Sequence, residues 1–118
     1  MTEEVERFLG ARGLPVGTDP AAFVEAVVDQ IIKDFRLDPE RVARASIGLV
    51  ALLADAIGAG LEGDPAPVFA AFYRLDLGED HVRRILHDHD RIEAARLLAE
   101  GAVARAALKV WTRLSYRP

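Results

Sequence analysis

The sequence predicts an all-α fold: a compact bundle of about four to six helices in a single domain covering residues 1–118. Three observations predict it. Apolar side chains recur at steps of three and four through most of the chain. Asp-Pro pairs occur at Asp19-Pro20, Asp38-Pro39 and Asp64-Pro65, where an aspartate can cap free amides and a proline can take the first helical position. No segment has the two-residue alternation of a half-buried strand. With 118 residues, 51% of them hydrophobic, the chain can bury a core without disulfides, and it has no cysteine to form them.

The first helix is expected after Thr2, with Glu3 and Glu4 in its positive first turn, and should stop near Gly10 or Gly13. Only Val5, Phe8 and Leu9 give it an apolar face, so residues 1–17 are expected to form a loosely attached N-terminal arm. A second helix runs from residue 20 to about 35. Phe23, Val24, Val27, Val28, Ile31, Ile32 and Phe35 form its apolar stripe, with Glu25, Asp29, Gln30 and Lys33 on the other side.

A third helix is predicted from residue 39 to about 57. It starts polar, with Glu40, Arg41 and Arg44, and becomes apolar nearly all round. Such a helix must be covered on several sides, as the central helix or as part of a subunit interface. Ser46 and Gly48 would let a neighbour approach closely, and Gly58, Gly60 and Gly63 would then break the chain. The longest apolar run, residues 47–61, is interrupted by Asp55 and falls short of the roughly 20 residues of a membrane span. It reads as a core helix.

A short aromatic helix with Val68, Phe69, Phe72 and Tyr73 follows, then a link over residues 74–78. The next helix carries Val82, Ile85 and Leu86, with Glu79 and Asp80 in its first turn. The last starts near Arg91 and extends toward Tyr116; its many alanines and Gly101 predict close packing on a neighbour.

Composition excludes some chemistry. Without cysteine there is no thiol nucleophile and no thiolate metal site. The only serines, Ser46 and Ser115, lie outside any nucleophile elbow, and the glycines at 58, 60 and 63 follow a helix rather than a strand. Paired acids such as Asp76 and Glu79 fit a helix start. The acidic opening MTEEVERF lacks the pattern of a secretory signal, so the cytoplasm is the expected compartment. No cofactor and no membrane attachment are expected.

Three clusters are candidates for a site. The tract His87-Asp88-His89-Asp90 has zinc-compatible ligands, with His87, His89 and Asp90 as the candidate metal residues. Its position between two helices favours capping: Asp90-x-x-Glu93 resembles a capping box, and His87 suits the negative end of a helix. The second cluster is Arg105, Lys109 and Arg113, at four-residue steps on one face of the last helix. Residues 1–100 carry 11 basic and 19 acidic side chains, whereas residues 101–118 carry four basic and no acidic ones. This face could bind phosphate or nucleic acid; it also suits a solvated helix end, or pairing with the acidic remainder. Third, Trp111 and Tyr116 with Phe69, Phe72 and Tyr73 could line an aromatic pocket, although helical spacing makes core packing the plainer expectation.

Two segments, YRLDLGE (residues 73–79) and RAALKVWTRLSY (residues 105–116), resemble a group of small bacterial helical proteins. In that group a YRxDxxE segment precedes a C-terminal RxxxKxxxR helix. This chain departs from the pattern in having Ala107 and Leu108 where a glutamine is expected near Lys109. The resemblance covers about the last third of the chain and brings no activity and no catalytic residue with it. It draws attention to Arg74 and Asp76, which flank an inward-pointing Leu75. Asp76 is expected to accept hydrogen bonds from the next helix's amides, or from Arg105, Lys109 or Arg113, fixing the last helix against the link.

The expected function is that of a non-enzymatic helical interaction or scaffold protein acting as a homodimer, the apolar third helix being covered by a second copy. The alternative is a nucleic-acid-associated or regulatory protein using the basic face. A metal-dependent enzyme at His87 and His89 stands third.

Overall fold

Aspartate side chains mark the starts of three helices in the computed structural model, which describes residues 3–116. Asp38 Oδ1 accepts from the Glu40 amide at 3.1 Å and starts α3 (Pro39–Arg44). Asp64 Oδ1 accepts from the Ala66 amide at 3.1 Å, so Pro65 stands just outside α5 (Ala66–Arg74). Asp90 Oδ1 accepts from the Glu93 amide at 2.8 Å and starts α7 (Arg91–Ser115). Pro20 opens α2 (Pro20–Phe35), where Asp19 makes no side-chain cap. With α1 (Glu3–Arg12), α4 (Leu49–Glu62) and α6 (Glu79–Asp88), the described residues hold seven helices and no strand. The fold is all-α, with more helices than the four to six expected.

The extra helix comes from the predicted third one, which is two. Ala45 is extended, and Gly48 takes the N-cap position of α4 with φ −66° and ψ 160°. Ser46 and Gly48, both indifferent helix formers, mark a break rather than a contact surface. Conversely, α4 runs straight through Gly58 and Gly60 and stops only at Gly63, whose amide donates to the Ala59 carbonyl. Packing explains Gly60: a Cβ there would lie 2.3 Å from Val68 Cγ2, so the missing side chain lets α5 press against α4.

The central element is α7, not the predicted third helix. At about 1.5 Å per residue its 25 residues span roughly 37 Å. It packs on α4, α2, α1 and α6. Its buried face is dominated by alanines (94, 95, 99, 102, 106 and 107), joined by Leu98, Val103 and Val110. Such small side chains bring partner backbones close. At Gly101 a Cβ would sit 3.3 Å from Leu77 Cδ2. The surplus apolar surface expected on α4 is taken up by α7 and α5, and its exposed line is Ala51, Asp55 and Ala59.

The N-terminal segment is packed, which corrects the expectation of a loose arm. Val5 is fully buried, the Phe8 ring stacks on Phe23 at 6.3 Å, and Trp111 Nε1 donates to the Gly13 carbonyl at 3.0 Å. Arg12 lies over both the Phe8 and Trp111 rings. Buried side chains from α1, α2, α4, α5, α6 and α7 join in one cluster. Among the described residues no helix is long and apolar enough to cross a membrane.

Candidate functional site

The link between α5 and α6 is built by backbone geometry. Asp76 is left-handed, with φ 57°; its amide donates to the Tyr73 carbonyl, and the Leu77 amide to the Phe72 carbonyl. This pair of bonds closes a helix in the Schellman manner, with an αL residue at the turn and an apolar one after it. Asp is among the few non-glycine residues that take this conformation readily. Leu75 and Leu77 are buried on either side of Asp76, and Gly78, at φ 81°, starts α6. The YRLDLG motif is therefore a helix stop, two plugs into the core and a restart.

That link faces the basic stripe of α7. Arg105 Nε donates to the Leu75 carbonyl at 3.1 Å, and its Nη2 reaches Asp76 Oδ2 at 3.4 Å. One turn on, Lys109 Nζ lies 3.9 Å from Asp34 Oδ2. A further turn on, Arg113 Nη1 donates to Gln30 Oε1 at 3.3 Å. Arg74 closes the group: Nη2 donates to the Asp34 backbone carbonyl, and Nε lies 3.9 Å from Asp34 Oδ1. The sequence-predicted residues Arg74, Asp76, Arg105, Lys109 and Arg113 thus come to the junction of α2, the link and α7 in two adjoining groups, Arg105 with Asp76 and the Leu75 carbonyl, and Arg74, Lys109 and Arg113 with Asp34 and Gln30.

The centre of the second group is Asp34, which sequence reasoning missed. Its side chain is 4% exposed and accepts from Gln30 Nε2 at 2.8 Å. Gln30 is buried as well, correcting its placement on the polar side of α2. A signal for both was present: at about 100° per residue, positions 30 and 34 fall within about 20° of Phe23 on the helical wheel. They lie beside the buried stripe, not opposite it. Asp76, the acceptor expected for the last helix, is exposed and reaches only Arg105 among the three basic residues. It makes no cap at the start of α6.

Next to this junction, α5 and α6 enclose a groove of about 490 Å³, lined by Phe69, Phe72, Tyr73, Val82 and Leu86 with Asp76 at its rim. Phe72 belongs to the core and meets the Phe35 and Phe69 rings edge-on at 6.1 and 5.8 Å. Trp111 lies against α1 instead, and Tyr116 is exposed, so the five aromatics do not form one pocket.

The histidine tract divides between two helix ends. His87 and Asp88 complete α6, while Asp90 caps α7. His87 Nδ1 lies 3.0 Å from Asp88 Oδ1, and this hydrogen bond holds the Asp88 carboxyl below its usual range. Glu93 does not return the cap as a reciprocal box would; it pairs with Arg96, which holds its carboxyl low too. Among the described residues, no three His, Asp or Glu side chains gather in a metal-binding arrangement.

No family model, no curated protein and no solved structure matches this chain.

Proposed function

We propose that this protein is a non-enzymatic helical interaction protein that acts as a homodimer, pairing through the α5–α6 face in the cytoplasm of a bacterial cell. The observation that carries the reading is the groove's exposed apolar wall. Tyr73 is 88% exposed and Phe69 43% exposed, and they line the groove with the half-buried Leu86 and the buried Val82. Large aromatic side chains left in water beside a concave surface are the usual anchors of a protein interface.

The charge order along α6 supports a second copy as the occupant. Glu79 and Asp80 occupy its first turn, and Arg83 and Arg84 follow one turn later. A two-fold axis perpendicular to α6 would set this helix antiparallel to its copy, with Glu79 of each facing Arg83 of the other, both residues lining the groove. In one copy Arg83 already turns back to Glu79 at 2.6 Å, so each side chain has only to exchange partners.

Analytical ultracentrifugation over a concentration series tests this. A dimer is expected, and Tyr73→Glu should convert it to a monomer while leaving the helical circular dichroism unchanged. Charge reversal at Glu79 and Arg83 together should restore more dimer than either reversal alone. A monomeric mass for the unaltered chain at every concentration overturns the proposal.

A further inference from the structure

Some arginines of the molecule are closed by carboxylates of their own helix. Arg96 is closed by Glu93 and Glu100, and Arg83 by Glu79 and Asp80. The cations of the α2–link–α7 junction are not closed in this way. Arg74 and Arg105 make their shorter hydrogen bonds to the backbone carbonyls of Asp34 and Leu75. A carbonyl orients a guanidinium without neutralising it. Arg113 is held by the neutral amide of Gln30, and Lys109 has only the 3.9 Å contact to Asp34. The side chains of Arg74, Arg105 and Lys109 remain 37–46% exposed.

The local charges do not balance. Four cations (Arg74, Arg105, Lys109, Arg113) face two carboxylates (Asp34, Asp76), an excess of two in a chain whose net charge is −4. Arg74 and Lys109 share one carboxylate, which makes them near neighbours. Arg105 and Arg113 flank Lys109 along α7 at about 6 Å of rise each. A carboxylate ligand would leave one charge over. A phosphate monoester carries close to two charges at neutral pH and presents three acceptor oxygens to guanidinium forks.

We infer that the Arg74/Arg105/Lys109/Arg113 patch is a binding site for a phosphate-type dianion, as the free ion or on a small phosphate monoester. The positions of the cations are set by the fold: α5 ends at Arg74, the Schellman turn presents the Leu75 carbonyl, and α7 runs past both. Asp34 offsets part of the repulsion between Arg74 and Lys109, and an anion bound there competes with its carboxylate for them.

The test is a titration by heteronuclear NMR and thermal unfolding, with inorganic phosphate, phenyl phosphate and a mixed-sequence DNA duplex as probes and ionic strength held constant with chloride. Saturable shifts on phosphate or phenyl phosphate are expected at Arg74, Arg105, Lys109 and Arg113, with a rising unfolding temperature. Tighter binding of phenyl phosphate assigns a monoester; tighter inorganic phosphate assigns the free ion. Lys109→Gln and Arg113→Gln should each weaken the affinity roughly tenfold, while Arg91→Gln, at the far end of α7, should not change it. Asp34→Asn should tighten binding, because it removes the competing carboxylate. The inference falls if phosphate acts no differently from chloride, if Lys109→Gln and Arg113→Gln bind as well as the unaltered chain, or if only the DNA binds.

Discussion

At the scale of single residues, Asp34 takes the anchoring role that the sequence suggested for Asp76. Asp76 looked like the anchor of the last helix, yet it is exposed and holds Arg105 at 3.4 Å; an exposed pair of that kind contributes between nothing and about 1 kcal/mol. Its larger contribution is conformational. At φ 57° an alanine would pay a left-handed penalty of about 1 kcal/mol, while a glycine would pay none. Asp76→Ala should therefore lower stability by about 1 kcal/mol, and Asp76→Gly should leave it within about 0.5 kcal/mol of the parent. Chemical denaturation of both variants checks this. Equal losses would mean that the carboxylate, not the turn, sets the residue's value. Asp34 has the opposite character: it is helical and buried, and its effect comes from the groups it holds together.

At the scale of helices, two glycines in α4 have opposite expected effects. A Cβ at Gly58 would meet Ala95 Cβ at an ordinary 4.0 Å, whereas one at Gly60 would lie 2.3 Å from a branched, buried valine. Gly58→Ala should raise stability by about 0.5–1 kcal/mol through helix propensity and a stiffer unfolded chain. Gly60→Ala should lower it by roughly 1–3 kcal/mol by overpacking, and Val68→Ala in the same chain should recover part of that loss. Thermal unfolding of the three variants decides; a stabilised Gly60→Ala would show that α4 and α5 can slide apart at no cost. From sequence, Gly58, Gly60 and Gly63 all looked like breakers, and only Gly63 ends the helix. Propensity is a weak prior, and contact with a neighbouring helix overrode it at Gly58 and Gly60.

At the scale of the whole molecule, the N-terminal helix tests how far the core extends. Val5 has no exposed surface, and Phe8, Arg12 and Gly13 tie α1 to α2 and α7. Val5→Ala should cost about 2 kcal/mol, the value of two buried methylene equivalents plus the cavity they leave. Urea unfolding followed by Trp111 fluorescence measures this. An unchanged midpoint would return residues 3–17 to the status of an arm. The same packing bears on assembly. With α4 covered from within the chain, the proposed dimer rests on the exposed aromatics of the groove between α5 and α6.

The sequence by itself determined that the chain is helical and where most helices begin, because periodicity and capping are relations among residues three or four positions apart. Asp38, Asp64 and Asp90 cap from within three residues, and the α2 stripe repeats along a single helix. The candidate site was legible only as separate pieces: YRLDLGE in one segment, Arg105, Lys109 and Arg113 in another. Tertiary structure alone decided that they come together, and that Arg74 and Lys109 do so at Asp34. Arg74 and Asp34 are 40 positions apart, and Arg113 and Gln30 are 83 apart. Their pairing depends on how α2 and α7 are rotated about their axes when their apolar faces pack, and no local pattern encodes that rotation.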